Sequence, residues 1–513
     1  MDDLARLSLE VIEKNKQALV FMPTRVSAEK SAEDIAKLTN IQLFDLEKEI
    51  LKVVSTPTQQ CRRLSHCIKK GIAFHHSGLT NEQKDIIEDN FRNGKVKIIC
   101  CTPTLAAGMS LPAFRVIIKS LKRFSGGWGQ DWIPVLEYMQ MAGRAGRPEY
   151  EKFGESVIVA RDEKEKEEIF ERYIKGVPED IYSKLAVEPV LRTYLLSLIS
   201  SGVIQDAKSL KEFFSKTFWA HQFKDIPRLE AIMEKILQLL EGWKFVQVQG
   251  NAEEGDFVSA SHLNGIKERK LRPTLIGKRV SQLYLDPLTA KHLLEGLEKY
   301  SKDKTAFSLL QLVSHTLEMR PLLRVKSKEQ DKVQEELTKN YDQLLEDEPP
   351  VYDAEYEEFI NSVKTSLFLQ HWINEMDEDF LMEEYDIRPG EIRVKLEIAD
   401  WLFYALEELA KITNLDHEKV REISKLRVRV KYGVKEELLN LLKLKGIGRV
   451  RARKLVQNNL RDLGDLKKLD LTSLGQILGK AVAEDVKKQL GEEIVEEISS
   501  HKRKGQMSLG KYE

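Results

Sequence analysis

The first 160 residues alternate short apolar runs with polar loops and helical segments, and this alternation most constrains the fold. QALVF at residues 17–21, KIICC at 97–101, and later RVIIKS and ESVIVA are the apolar runs. Strands that alternate with helices at this spacing are typical of a parallel sheet covered by helices on both faces. Loops at the carboxyl ends of such strands carry the ligand contacts. We therefore predict an α/β domain with functional loops at residues 23–25, 75–79 and 102–104.

The segment QMAGRAGR carries the strongest chemical signal in this domain. Gln140, Gly143, Arg144 and Arg147 follow one another at i, i+3, i+4 and i+7, so on a continuous helix they would share one face. Two guanidinium groups one turn apart suit a transferring phosphoryl group, whose charge is spread over several oxygens. The alternative is a basic surface helix held by ion pairs.

Four segments together resemble superfamily-two helicases of the Ski-like branch. QMAGRAGRP resembles motif six, CTPTLAAGMSLP motif five, FMPTR motif four, and FHHSGL the adjoining loop, and their order and spacing also match. The resemblance implies a RecA-like motor domain. In it, Arg144 and Arg147 are arginine fingers on ATP, Gln140 assists them, and Gly108 and Gly143 lie beside the nucleotide.

The same resemblance implies a track for a DNA strand along the loops of this domain. Hydroxyl, imidazole and guanidinium groups would hold phosphates there without reading the base sequence. The residues concerned are Thr24, Arg25, His76, Thr102 and Thr104.

A complete motor of this class also needs a glycine-rich loop with a lysine for the phosphates and an acidic pair for the metal. No G-x-x-x-x-G-K-[ST] run occurs in the sequence, and Gly94-Lys95 lies in FRNGKVK without the required neighbours. We expect ATP and Mg²⁺ to be held mainly by a first motor domain that the sequence does not show. We therefore predict that this chain alone is inactive as an ATPase and that a separately encoded ATP-binding half is a candidate partner.

Between motifs five and six, residues 117–136 predict a β-hairpin. Strand-like runs flank the glycine-rich turn SGGWGQ. The Ski-like DNA helicases carry a hairpin at this position that splits the duplex, and the resemblance implies the same here. An aromatic ring such as Phe124 or Trp128 would stack on the last base pair. The alternative is a plain surface loop.

The patterns predict a RecA-like α/β domain followed by mostly α-helical domains. Three amphipathic segments and the run LRPTLIGKRVSQLYLDP resemble a winged helix, which we interpret as a structural connector because its third helix has no basic stripe. The predicted domains are the motor domain at 1–178, the winged helix at 179–285, a helical ratchet domain at 286–430, a helix-hairpin-helix domain at 431–498 and a tail at 499–513.

The segment PGEIRVKLEIADWLFYALEELAKIT predicts a long helix with two useful faces. Ile398, Leu402, Ala405, Leu409 and Ile412 form an apolar stripe, and beside it lie Arg393, Glu397, Trp401 and Tyr404. The Trp and Arg suit a single strand, since a ring stacks on a base and a cation meets phosphate. The segment resembles the ratchet helix of these helicases, which implies that Trp401 and Arg393 contact DNA. Lys395 is the alternative basic partner, and core packing is the alternative role of Trp401.

LLKLKGIGRVRARKLV predicts two helices around a Gly-Ile-Gly turn. Gly446 and Gly448 permit close approach to a phosphate, and Arg449, Arg451 and Arg453 add positive charge. This resembles a helix-hairpin-helix, a sequence-independent grip on DNA. In the tail, Gln506, Leu509 and Tyr512 resemble a peptide that binds the sliding clamp, although Glu513 replaces its last aromatic residue.

Taken together, the motifs resemble the archaeal Hjm-type helicases, which move 3′-to-5′ on DNA at stalled forks. The net charge of −1 combines acidic and basic patches. The four cysteines have no paired metal-ligand spacing, so no zinc site is expected at these thiols. No membrane span or secretory signal is apparent, so a nucleoid-associated protein of the cytoplasm that binds single-stranded and forked DNA is expected. The alternatives are an ATPase-inactive DNA-binding subunit and a Ski-like RNA helicase.

Overall fold

The computed structural model describes residues 3–53, 57–108, 111–124, 130–146, 153–185, 187–249 and 270–491. Buried apolar side chains form three hydrophobic cores in these ranges, within residues 4–173, 191–430 and 434–486. The predicted winged-helix and ratchet segments share the second core. No helix among the described residues is long and apolar enough to cross a membrane.

The first core surrounds a parallel sheet whose strands lie in the order β2 (Ile72–His75), β3 (Ile98–Cys101), β1 (Ala18–Phe21), β4 (Arg115–Ile118) and β7 (Glu155–Ile158). Every residue of β1 to β4 is buried, as expected for parallel strands covered on both faces. The predicted parallel α/β sheet is thereby confirmed. The elements of this region are α1 (Asp3–Glu13), β1 (Ala18–Phe21), α2 (Arg25–Ala36), α3 (Phe44–Lys52), α4 (Gln59–Lys69), β2 (Ile72–His75), α5 (Asn81–Arg92), β3 (Ile98–Cys101), α6 (Thr104–Gly108), β4 (Arg115–Ile118), β5 (Lys122–Phe124), β6 (Gln130–Trp132), α7 (Val135–Ala142), β7 (Glu155–Ile158) and α8 (Glu163–Ile169), which continues into a π-helical turn (Phe170–Ile174).

Two threonines fix where helices begin beside the strand ends. Thr24 caps α2 and Thr80 caps α5, and in each case the residue three positions later returns a side-chain contact to the cap backbone. These reciprocal contacts satisfy amide groups that a helix start otherwise leaves without partners. The polar loops after β1 and β2 therefore pass directly into helices whose amino ends lie at the carboxyl edge of the sheet.

The second core begins with five helices and a two-stranded sheet. The second predicted helix is in fact two, and the predicted wing is a strand only at its start, because Thr274 accepts a hydrogen bond from the Gly277 amide and caps a new helix. The elements are α9 (Glu188–Ser200), α10 (Ala207–Ser215), α11 (Phe218–Phe223), α12 (Ile226–Gly242), β8 (Val246–Gln249), β9 (Lys270–Pro273), antiparallel to β8, and α13 (Leu275–Gln282).

The rest of the described chain is helical. Instead of the first helix predicted before the Gly-Ile-Gly turn there are only two 3₁₀ turns, at Glu436–Leu438 and Leu441–Lys443. The α-helices are α14 (Pro287–Lys299), α15 (Ala306–Ser314), α16 (Gln330–Lys339), α17 (Tyr356–Ile373), α18 (Glu378–Tyr385), α19 (Pro389–Ile412), α20 (His417–Tyr432), α21 (Arg449–Gln457), α22 (Leu463–Lys468), α23 (Leu471–Leu478) and α24 (Lys480–Gln489), with further 3₁₀ turns at Ser327–Glu329 and Tyr341–Gln343.

Candidate DNA-binding cleft and its surroundings

A cleft of about 820 Å³ opens at the carboxyl edge of the parallel sheet. Its walls are the loops 23–26 and 102–104, the segment 120–123 and the first turns of α7. We call it the strand-end cleft. It brings together the loops after β1, β3 and β4, which are far apart in the sequence and meet because parallel strands end at the same edge.

Three of the predicted DNA-binding hydroxyl groups lie in this cleft. Thr24 and Thr104 are exposed, and the Oγ1 atoms of Thr102 and Thr104 are 2.9 Å apart. Thr24 also begins α2, a helix of 12 residues whose first amide groups face the same edge. Hydroxyl groups and helix-start amides hold phosphates irrespective of base sequence.

Arg25 lines the strand-end cleft but is already paired. Its guanidinium forms an ion pair with Glu391, in the first turn of α19. About 40% of the Arg25 side chain stays accessible, so a phosphate can still approach it. The pair links the motor domain to the long helix of the second core.

His76, predicted to bind DNA, is buried and cannot reach a phosphate. Its ring stacks on Phe74, its Nδ1 accepts from the Gly78 amide at 3.1 Å, and its Nε2 lies 3.1 Å from Glu29 Oε1. Burial raises the pKa of the Glu29 carboxyl, but hydrogen bonds from His76 and Gln60 outweigh it and lower that pKa to about 2. His76 thus shapes the loop after β2, and the prediction that it contacts DNA is wrong.

The predicted continuous helix through QMAGRAGR is also wrong. Helix α7 ends at Ala142, with Gly143 as its C-cap, and Gly146 has a φ of +97° that ordinary side chains rarely adopt. The chain then binds beside β4, because the Gly146 amide donates to the carbonyl oxygen of Ala113 at 2.7 Å. Gln140 therefore stays on α7 and lines the strand-end cleft, whereas Arg144 lies in the turn that follows.

The Arg144 guanidinium donates to the carbonyl oxygen of Ala106, with the Nε contact at 3.2 Å. Ala106 belongs to α6, which begins at Thr104 in the strand-end cleft. The predicted arginine finger is thus bound, in this state, to the helix that carries a predicted DNA contact. Arg144 and Thr104 are therefore connected through one helix of five residues.

The predicted hairpin exists in a shorter form at the rim of the cleft. Residues 122–124 pair antiparallel with residues 130–132, whereas Ile117 belongs to β4 and Val135 begins α7. The Lys122 ammonium lies 4.0 Å from the ring centroid of Trp132 and 3.2 Å from Glu165. These contacts fix the hairpin base, and the sequence reading missed Trp132 because nothing in its local pattern separates it from a core aromatic residue.

Helix α19 is the predicted ratchet helix, and most polar groups on its predicted DNA face already have protein partners. Trp401 is partly buried, and its Nε1 donates to the carbonyl oxygen of Leu283 at 3.1 Å. The Tyr404 hydroxyl accepts from Arg279 at 3.2 Å. Arg393 forms an ion pair with Glu82 of α5 at 2.8 Å. The helix is therefore attached to the motor domain at its start and to α13 further along.

Lys395, the alternative basic partner of Trp401, lies on the opposite side of the helix. It is buried, its Nζ donates to the carbonyl oxygen of Pro321 at 2.7 Å, and burial lowers the pKa of its amino group. Lys395 is therefore not available to a strand that contacts Trp401, whereas Arg393, with 44% of its side chain exposed, still is.

Comparison with known protein families covers most of the chain. Residues 1–149 match the helicase conserved C-terminal domain, residues 154–247 a helix-turn-helix domain, and residues 307–433 domain 4 of archaeal helicases. The ATP-dependent DNA helicase Hel308 of Methanococcus vannielii is 34% identical over 96% of this chain and 68% of its own length. The Hel308 proteins of Methanocella arvoryzae and Pyrococcus abyssi are 36% and 35% identical, over 65% and 67% of their lengths.

The chain belongs to the Hel308 family. This confirms the helicase family indicated by the motifs. The matched helix-turn-helix domain, residues 154–247, overlaps the predicted winged-helix segment 179–285 only in part, so the winged helix and its bounds stay a prediction. The chain spans about two thirds of the length of these Hel308 relatives.

In this Hel308-family chain, two of the three predicted phosphate-binding arginines of α21 contact protein instead. Arg453 is bidentate on Glu375, with both contacts at 2.7 Å, and also pairs with Glu437 at 2.8 Å. Arg449 lies over the Trp372 ring at 5.0 Å and donates to the carbonyl oxygen of Met376 at 2.7 Å. These contacts join the third core to the loop between α17 and α18.

Arg451 is the exception among the three. It is exposed, and its Nη1 donates to the carbonyl oxygen of Gly446, in the turn before α21, at 2.6 Å. Gly446 has a φ of +81°, and Gly448 is the N-cap of α21 with open space around it. Of the predicted grip, Arg451 and the glycine turn therefore remain open to a phosphate.

Several predicted residues have no described surroundings. Arg147, Trp128 and the clamp-binding set Gln506, Leu509 and Tyr512 lie outside the described residues, while Phe124 and Gly108 are described only as parts of β5 and α6. All four cysteines are buried and unpaired, and burial raises the pKa of the Cys67 thiol to about 12. The Cys67 thiol is therefore protonated and a poor metal ligand.

Proposed function

We propose that this chain supplies the second motor domain and the DNA-holding domains of a 3′-to-5′ DNA helicase that acts at stalled or branched forks in repair and recombination. The observation that carries the proposal is the strand-end cleft. Thr24, Thr102 and Thr104 line it, hairpin β5–β6 forms its rim, and the ratchet helix is attached beside it. A strand held by these hydroxyl groups would reach the fork hairpin at one end.

The chemistry of the motor would be divided between two surfaces. ATP with Mg²⁺ supplies the energy, and we propose that both are held mainly by a separate ATP-binding segment, with Arg144 and Arg147 reaching the phosphates from this chain. The contact of Arg144 with Ala106 supports a link between ATP binding and DNA binding, because Ala106 belongs to α6 and α6 begins at Thr104 in the strand-end cleft. When Arg144 turns to a phosphate, it releases α6 and the threonine at its start.

DNA binding by the chain alone tests the cleft directly. A fluorescent single strand should bind, and the double variant Thr102→Val/Thr104→Val should bind at least about 5-fold more weakly, since two hydrogen bonds to charged phosphates are removed. Thr338→Val, an exposed threonine on α16, is the matched control. Equal affinity of the cleft variant and the control would refute the cleft as the strand track, and tighter binding of RNA than DNA would favour the RNA-helicase alternative.

The proposal that ATP is held by a separate segment is tested with a fusion of this chain to the remaining third of a Hel308 relative. The fused protein should show DNA-stimulated ATPase activity and unwind forks with a 3′ single-stranded arm, whereas the chain alone should show neither. Arg144→Lys in the fusion should lower the ATPase rate by about 10³-fold while DNA affinity stays within 2-fold. Real turnover by the chain alone would overturn the proposed division, and a fusion that binds DNA without ATPase activity would favour a DNA-binding subunit.

A further inference from the structure

Two histidines and a glutamate meet in the helical region of the second core, away from the strand-end cleft. They are His292 on α14, His315 directly after α15, and Glu346 in the connection between α16 and α17. One ligand atom from each side chain lies within 4.8 Å of the other two. The residues are separated by 23 and 31 positions in the sequence, so they do not form a short metal-binding motif. The packing of three segments brings them together.

The hydrogen bonds of His292 leave one ring nitrogen free. Its Nε2 is 3.1 Å from the carbonyl oxygen of Leu312, which can only accept, so Nε2 carries the proton when the ring is neutral. The other nitrogen, Nδ1, then presents a lone pair at 3.8 Å from Glu346 Oε2. A lone pair facing a carboxylate oxygen is unfavourable unless a cation lies between them. Histidines that bind metals commonly donate their second N–H to a carbonyl group in this manner.

The other two side chains complete a cation-binding set. His315 Nδ1 lies 2.8 Å from both oxygens of Glu346, and the two imidazole rings are perpendicular with centroids 5.8 Å apart. Between 17% and 23% of each side chain is exposed, so an ion from solvent can reach the cluster. Two imidazoles and one carboxylate are the ligands that Zn²⁺ and related divalent transition metals prefer, with a water in the remaining position.

Gln311 is a fourth polar residue in contact with the cluster. Gln311 is fully buried, its amide nitrogen donates to Glu346 and to Ser362, and its Oε1 has no hydrogen-bond partner among the described residues. Buried carbonyl oxygens rarely stay without a donor. The Gln311 amide nitrogen is one of the groups that hold Glu346 beside the two histidines.

We propose that His292, His315 and Glu346 form a binding site for a divalent transition-metal ion of the zinc class, which ties the connection before α17 to α14 and α15. When the ion binds, His315 Nδ1 releases the proton that it shares with Glu346 to solvent, and the ring stays neutral because Nε2 keeps or takes up a proton from solvent; the lone pair of Nδ1 then becomes a ligand. The site is structural in this proposal. It takes no part in the motor chemistry and stands independently of the proposed function.

The test uses the full chain after treatment with a chelator. Equilibrium dialysis should show one tightly bound Zn²⁺ per chain, and saturating Zn²⁺ should raise the melting temperature. The variants His292→Gln and Glu346→Gln should each weaken this binding by at least about 100-fold and abolish the thermal shift. His371→Gln is the matched control, because His371 is a partly buried histidine of the same helical region that bonds to Tyr385 instead.

A second measurement does not depend on the folding of a variant, because it uses the wild-type chain. The absorption spectrum of bound Co²⁺ reports which ligands hold the ion. Visible absorption bands of a four- or five-coordinate Co²⁺ site with nitrogen and oxygen ligands are expected, without the intense near-ultraviolet band of thiolate ligation. Absence of Co²⁺ bands, a thiolate band, or Zn²⁺ binding that the His292→Gln and His371→Gln variants retain equally would each overturn the proposal.

Discussion

The backbone amide of Gly390 donates to the carbonyl oxygen of Gly78 at 3.0 Å, which joins the first turn of α19, the predicted ratchet helix, to the loop after β2. The two backbone segments approach so closely that a Cβ on Gly390 would lie 2.4 Å from the carbonyl oxygen of Ser77 and 2.6 Å from that of Leu79. The Arg25–Glu391 and Arg393–Glu82 pairs flank this contact. The parallel-sheet domain and helix α19 are thus joined by a backbone hydrogen bond as well as by two ion pairs.

Gly390→Ala should therefore separate the helix from the loop. The added methyl group meets backbone atoms that cannot move independently, so we expect a loss of about 1–3 kcal/mol in the free energy of unfolding. Faster hydrogen exchange at residues 77–79 should accompany it. Gly242→Ala, at the end of α12, places its Cβ in open space and is the control. If both variants are equally stable and show the same hydrogen exchange at residues 77–79, the attachment of α19 to this loop does not depend on the close approach at Gly390.

Glu82→Gln should strengthen DNA binding if Arg393 is a strand contact. Both oxygens of the Glu82 carboxylate accept from one nitrogen of Arg393, Nη1, at 2.8 and 2.9 Å, and the carboxylate lowers the net positive charge that a phosphate would meet. Its removal should raise single-strand affinity by about 2- to 5-fold, whereas the exposed pair itself is worth only about 0.2–1 kcal/mol of stability. Fluorescence anisotropy on Glu82→Gln, Arg393→Ala and the double variant measures this. A gain that persists without Arg393 would contradict the assignment.

Substitutions of Arg451 and Arg453 should have different effects, the first on DNA binding and the second on stability. Arg451→Ala should weaken DNA binding and reduce the slope of log affinity against log salt by about 0.7 for a single strand, since one phosphate contact is lost. Arg453→Ala should instead cost on the order of 2 kcal/mol of stability, because it leaves the mostly buried Glu375 carboxylate without its charged partner. Salt titrations and denaturant unfolding of both variants decide this. The reverse assignment of effects would show that α21 binds DNA through Arg453.

The Glu29 network should make the motor domain sensitive to acid below pH 4.5. The pKa of Glu29 falls from 4.5 to about 2 in the folded state, so its contribution to stability is present above 4.5 and is lost as the pH falls toward 2. That contribution is on the order of 3 kcal/mol. The stability difference between wild type and Glu29→Gln should shrink between pH 6 and pH 3 in denaturant unfolding. The exposed Asp34→Asn is the control, and a difference that stays constant with pH would refute the account.

The sequence alone determined the parallel sheet, the helicase family and the loops that meet at the strand-end cleft. These follow from short-range patterns, namely buried runs, loop residues and motif spacing. Only the tertiary structure decided which predicted side chains are free. His76 contacts Glu29, Arg393 pairs with Glu82 while staying partly exposed, and Arg453 pairs with Glu375; each partner comes from a distant part of the chain. The cluster of His292, His315 and Glu346 arises in the same way, because charges and lone pairs find partners through packing, which spacing along a sequence does not encode.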